Sequence, residues 1–279
     1  MNRRIDQIFA DLRANRQKAL MPFVCGGFPS PGVLTRLLPA LQASGASVVE
    51  IGFPFSDPIA DGPVIAAAMS RAIAGGTTAA TIFKEVESVR AQLSIGLVAM
   101  VSVSIVNRLG GPKGFASRAA AAGFDGLIVP DVPLEESGEL QAAAAEAGLA
   151  YSLLIAPTTV PARAAEIMAA CSGFCYLLAR SGITGEQSGT PEIAGRVAKL
   201  RQVGPLPIAC GFGVSTPQQV NAVVRHADAA IVGSALVRRM SEAAAAGRDP
   251  VDEAAAMVRA LCAGLVTDET PRGSGEVAG

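Results

Sequence analysis

The 279-residue chain predicts a (β/α)8 TIM barrel with an extra N-terminal helix. Three observations predict it. Short β-rich runs recur eight times, stretches with helical spacing separate them, and the length is a little over the roughly 250 residues usual for the fold. An open doubly wound sheet is the alternative. It would normally carry a glycine-rich dinucleotide turn after its first strand, whereas CGGFPS has Gly26 and Gly27 without the G-x-G-x-x-G spacing.

The N-terminal stretch MNRRIDQIFADLRANRQ is charged throughout and sets Ile5, Ile8, Phe9 and Leu12 on one helical face. It predicts a helix over 1–16 that caps the barrel bottom, and it does not read as a signal peptide. The strand-like runs then follow in order: LMPFVC, SVVEIGF, IGLVAMV, FDGLIVP, YSLLIAP, GFCYLLA, LPIACGF and DAAIVG. Between them PGVLTRLLPALQASG, LEESGELQAAAAEAG and PEIAGRVAKLRQVG read as helices, with Gly45, Gly123 and Gly148 placed to cap helix C-termini. One barrel domain is expected over 1–266. The tail TDETPRGSGEVAG, 267–279, is small, polar and aperiodic and predicts disorder.

An apolar content of 50% is ample for a core, and a net charge of -1 offers no basic field for nucleic acid or an anionic membrane. The run IGLVAMVSVSIV, 95–106, is shorter than the roughly 20 residues of a membrane helix and contains Ser102 and Ser104. A cytoplasmic protein is expected. The cysteines Cys25, Cys171, Cys175, Cys210 and Cys262 are scattered and read as reduced and mostly buried. Cys171 and Cys175 lie four positions apart, but no second pair accompanies them and His226 is the only histidine, which argues against structural zinc.

Barrel chemistry sits where strands end and βα loops begin. Glu50 lies inside the apolar run VVEIG, where it is either a buried carboxylate paired with an Arg or backbone amides, or a general acid/base with a raised pKa. Asp61 follows in the Pro-rich loop, either as a helix cap or turn former before GPVIAAAMSRAIAGG or as a second carboxylate folded over the mouth. Asp57, in SDP, reads as a turn former. None of Lys18, Lys84, Lys113 and Lys199 falls at the C-terminal end of a predicted strand, which disfavours a Schiff base. One histidine and few clustered carboxylates disfavour a metal-assisted enolate. The chemistry expected is therefore carried by carboxylates.

Glycine-containing turns follow the last three runs: RSGITGEQSG, CGFGVSTP and VGSALVRR. Gly185, Gly213 and Gly233 let backbone amides approach an anion, and Ser234 adds a hydroxyl at a helix N-terminus. This is the quarter in which such barrels commonly bind phosphate.

With EIGFPFSDPIADGP, VPDVPLEES, YLLARSGITG, GFGVS and GSALV, the chain resembles the tryptophan synthase alpha subunit family over about residues 5–265. The resemblance implies cleavage of indole-3-glycerol phosphate to indole and glyceraldehyde 3-phosphate. It implies Glu50 as acid/base catalyst, Asp61 as second catalytic carboxylate, and Gly185, Gly213, Gly233 and Ser234 at the phosphate. It also implies Phe23 and Tyr176 in the pocket wall and Thr184 in a loop that closes on Asp61. No cofactor or metal is implied in this chain; pyridoxal phosphate would belong to a beta partner in an alpha2-beta2 heterotetramer. Some positions depart from the pattern. Members usually carry Tyr and Asn where this chain reads AMVSVSIVNRLG, an Asp is common at Phe28, and polar side chains are usual where VIAAAM stands. The alternatives are a stand-alone lyase that releases free indole and a non-catalytic barrel that activates a beta-type partner.

Overall fold

The computed structural model describes residues 3–58, 61–179, 193–211 and 213–266. Helix α1 (Arg4–Ala14) leads into β1 (Ala19–Cys25), α2 (Leu34–Ala43), β2 (Val48–Gly52), α3 (Pro63–Ala74), α4 (Ala79–Val89) and β3 (Gly96–Met100). Next come α5 (Val103–Arg108), α6 (Gly111–Ala122), β4 (Gly126–Ile128), α7 (Gly138–Glu146), β5 (Ala150–Tyr151) and β6 (Leu154–Ile155). The chain continues through α8 (Pro161–Ala170), β7 (Cys175–Leu178), α9 (Ala194–Arg201), β8 (Ile208–Gly211), α10 (Pro217–Val224), β9 (Ala229–Val232), α11 (Ser234–Ala245) and α12 (Pro250–Cys262).

All the pairings are parallel, in the order β5-β4-β3-β2-β1-β9-β8-β7-β6. The ends of this order, β5 and β6, are two pieces of the segment 150–155, so the sheet closes on itself. The Ser152 N–H donates to the Leu127 carbonyl on one side, and the Leu153 carbonyl accepts from the Tyr176 N–H on the other. The eight predicted runs are thus eight staves of a (β/α)8 barrel, the fifth split in two. The split has a local cause. The Tyr151 N–H donates to Ser172 Oγ at 2.9 Å and the Leu153 N–H to Cys171 Sγ at 3.2 Å, so side chains take donors that a regular ladder would use.

Two apolar layers follow from the strand alternation. Val49 and Ile51 of β2 point outward against the helices, while Val48 joins Met21, Val98, Ile128, Phe174 and Ile231 inside the barrel. Helix α1 closes the bottom with Ile5 and Phe9, as its spacing predicts, and Phe9 lies 6.0 Å from the Phe174 ring. Gly96 leaves room for this plug, since a Cβ there would stand 2.5 Å from Ile5 Cδ1.

The helix boundaries follow local rules. Thr78 and Thr81 make a reciprocal capping box on α4, Thr216 and Gln219 make one on α10, and Asp249 caps α12. Gly123 closes α6 at φ 96°, and Gly45 and Gly148 follow α2 and α7 with positive φ. The apolar run 95–106 divides: β3 ends at Met100, and Ser102 accepts the Ser104 N–H to start α5. No helix among the described residues is long and apolar enough to cross a membrane. The tail at 267–279 lies outside the described residues.

Candidate active site

Alternation along β2 turns Glu50 into the barrel, between its register partners Phe23 on β1 and Val98 on β3. Glu50 is fully buried, and neither carboxyl oxygen has a hydrogen-bond partner among the described residues. The paired-carboxylate reading therefore finds no support there. With no partner to stabilise the anion, burial pushes the carboxyl from 4.5 up to about 8.

Asp61 sits in the loop between β2 and α3, where its own N–H donates to the Pro58 carbonyl at 3.0 Å. Helix α3 takes Gly62 as its N-cap and Pro63 as its first residue, so Asp61 is not the cap. Burial raises its carboxyl from 3.8 to about 6. The negative charges of Glu50 and Asp61 both reach the buried Tyr176 phenol and, after burial itself, help push it well above its ordinary value. Asp61 also lies near Cys25 at the end of β1, whose thiol is raised to about 12 by burial and then by Asp61. The Tyr176 phenol is thus within electrostatic reach of both carboxyls, while Asp57 is exposed on the loop.

Glycines make room for the aromatic walls. A Cβ at Gly52 would stand 2.5 Å from Phe23 Cζ, and one at Gly211 would stand 2.8 Å from the Tyr176 hydroxyl. On its other flank Phe23 borders the end of the neighbouring β9, since a Cβ at Gly233 would lie 3.6 Å from Phe23 Cβ. These room-making glycines escape sequence reasoning because the contacts join residues distant in the chain. A glycine directly at a strand's end is the only local signal.

Gly233 and Ser234 begin α11, whose N-terminus carries no side-chain cap. Gly213, on the loop after β8, holds φ 77°, a conformation open to glycine at little cost. An uncapped helix start can receive an anion, and a left-handed glycine lets the backbone come close to one. Thr184 and Gly185 lie outside the described residues.

At neutral pH the arrangement favours a protonated Glu50 and an ionised Asp61, one proton donor and one negative charge within electrostatic reach of the same phenol. Lys18 precedes β1 and donates to the Ala227 carbonyl at the closed end, and Lys84, Lys113 and Lys199 lie on helices. Among the described residues no group of three His, Cys, Asp or Glu side chains is placed to hold a metal ion.

Comparison with known proteins places the chain in a family. The family model described as "Tryptophan synthase alpha chain" matches residues 9–265. The tryptophan synthase alpha chain of Synechococcus sp. (strain CC9902) is 45% identical over 84% of this chain and 88% of its own length. That of Chloroflexus aggregans is 43% identical over 92% and 96%. Among solved structures, tryptophan synthase subunit alpha from Legionella pneumophila superposes with a TM-score of 0.86 at 32% identity, covering 94% of this chain and 98% of that one. A Mycobacterium tuberculosis tryptophan synthase chain gives 0.85 at 33% identity with the same coverage. The chain belongs to the tryptophan synthase alpha chain family.

Proposed function

We propose that this chain cleaves indole-3-glycerol phosphate by a retro-aldol reaction, with Glu50 as the proton-transfer group and Asp61 as the electrostatic one. The observation that carries the reading is the fully buried Glu50, without a hydrogen-bond partner among the described residues and raised to about 8, where Asp61 is raised only to about 6.

Glu50 delivers its proton to carbon 3 of the indole, and positive charge develops on the ring nitrogen. The ionised Asp61 accepts a hydrogen bond from that N–H and stabilises the charge. The Glu50 carboxylate then takes the proton of the adjacent side-chain hydroxyl as the carbon–carbon bond breaks. The electron pair of that bond returns to the ring, the oxygen becomes the aldehyde carbonyl, and Glu50 is protonated again. The indole acts as the electron sink, so the cycle balances without a Schiff base. Gly213, Gly233 and Ser234, together with Gly185, hold the phosphate; Phe23 and Tyr176 flank the indole; Thr184 meets Asp61 when its loop closes and excludes water.

In this reading the chain works in the cytoplasm as the alpha subunit of an alpha2-beta2 tryptophan synthase and passes indole to a beta subunit that carries the pyridoxal phosphate. A second reading, a stand-alone lyase, is supported by the departing loops. Phe28 is buried with the Arg71 guanidinium 5.3 Å from its ring, and the Asp131 carboxylate accepts from Ser102 Oγ and the Val103 N–H within this chain.

Indole release from the purified chain, with and without an added beta subunit, tests both. Glu50→Gln is expected to lower indole formation by roughly 10²–10⁴-fold while the fold is retained; full activity in that variant overturns the assignment. Stimulation by beta supports the complex, and its absence supports the solitary enzyme.

A further inference from the structure

Away from the mouth of the barrel, two of the free cysteines converge on one residue. Leu153 lies in the break between β5 and β6. Its N–H donates to Cys171 Sγ at 3.2 Å, and the same sulfur faces its carbonyl at 3.9 Å. The β6–β7 register pairs Leu154 with Tyr176 and Ile155 with Leu177, and one step back it sets Cys175 beside Leu153. Cys175 and Leu153 share the layer between strands and helices, and Cys171 packs against that layer. The turn 172–174 joins the two cysteines. It is closed by the Phe174 N–H on the Ser172 carbonyl at 3.0 Å and pressed to the barrel by Gly173, where a Cβ would stand 2.7 Å from Ala150 Cβ.

The two thiols differ in access and in character. Cys171 ends α8 and is partly exposed, whereas Cys175 opens β7 and is fully buried. The neighbouring Cys175 thiol holds the Cys171 thiol below its ordinary value, with help from the Leu153 amide and against the effect of burial. The proximity of Cys171, with burial, pushes Cys175 up. The more exposed residue of the two therefore carries the thiol that gives up its proton more readily, and a second thiol lies near it.

We propose that Cys171 and Cys175 are a peroxide-responsive pair that closes reversibly into an intrachain disulfide and lowers the activity of the barrel. The Cys171 thiolate attacks a hydroperoxide, whose O–O bond breaks. One oxygen goes to sulfur as the sulfenic acid, and the other leaves as hydroxide and takes up a proton. Cys175 loses its proton and attacks that sulfur, forming the S–S bond as the S–O bond breaks and water departs. Two thiols and one hydrogen peroxide give one disulfide and two waters. A dithiol reverses the step by exchange. The disulfide alters the sulfur that accepts the Leu153 N–H and tethers the first residue of β7. The next residue on that strand is Tyr176, which faces Glu50 and Asp61.

The test treats the purified full-length chain with hydrogen peroxide and follows both mass and indole release. The tryptic peptide 164–180 contains Cys171 and Cys175 and none of the other cysteines. It is expected to become lighter by two hydrogens while Cys25, Cys210 and Cys262 stay free, with indole release falling several-fold in step and returning on dithiothreitol. Cys171→Ser retains a hydroxyl acceptor for Leu153 and is expected to fold, to melt as the wild type does, and to resist peroxide. Cys175→Ser is expected to leave Cys171 as a sulfenic acid trapped by a dione probe. Equal reaction of all five cysteines, oxidation of Cys171 to sulfinic acid with Cys175 free, or a disulfide that leaves indole release unchanged overturns the proposal. The activity readout rests on the lyase reading and the mass readout does not, so the two failures are told apart.

Discussion

Glu50 and Asp61 are two carboxyl groups at one barrel mouth whose environments separate them, one pushed to about 8 by complete burial and the other to about 6 by partial burial. Each is suited to one charge state at neutral pH, and the order of their values sets the working window.

The first prediction concerns that window. If the cycle starts from protonated Glu50 and ionised Asp61, kcat/KM for indole release follows a bell with limbs near pH 6 and pH 8. Removing the Asp61 ionisation with Asp61→Asn is expected to lower the rate and flatten the acidic limb. An acidic limb that survives unchanged in that variant assigns it to another group.

A second prediction concerns stability. Glu50 is raised in the folded state from 4.5 to about 8, so between these values the folded chain holds a proton that the unfolded chain has lost. Stability contributed by Glu50 therefore falls as pH rises through this range and levels off above about 8. Glu50→Gln removes the ionisation and is expected to be more stable than the parent at pH 9, by on the order of 3–5 kcal/mol relative to any difference at pH 4. Urea unfolding at both pH values measures it, and a difference independent of pH contradicts the raised value.

Gly211 supplies a third. A Cβ there would meet the Tyr176 hydroxyl at 2.8 Å and Ile231 Cβ at 2.9 Å. Gly211→Ala is expected to displace the phenol and lower kcat/KM roughly ten- to a hundredfold with the helical circular dichroism signal retained. Unchanged kinetics would place Tyr176 outside the substrate's reach.

The alternation of strand and helix is legible in the chain because β-rich runs and helical spacing both repeat, and α1 is legible because Ile5 and Phe9 keep one face. The break in the fifth stave is not legible, because it depends on Ser172 and Cys171 reaching back to Tyr151 and Leu153. Nor is α5, which starts inside the apolar run 95–106 where only Ser102 marks the boundary. Glu50 stands out as an acidic residue in an apolar strand, and Asp61 stands out by its Pro-rich loop. The resemblance to relatives, rather than periodicity, gives these two carboxylates their separate roles. The lack of a partner for Glu50 among the described residues and the room left for Phe23 and Tyr176 by Gly52 and Gly211 come from closing the barrel, which brings distant residues together.

Glu50 is expected to be a neutral acid in the resting protein at pH 7. Carbon-13 NMR titration of the side-chain carboxyl groups, with the Glu50 resonance identified by its loss in Glu50→Gln, measures this directly. A Glu50 midpoint near 8 is the result predicted, and a midpoint near the ordinary 4.5 contradicts the account.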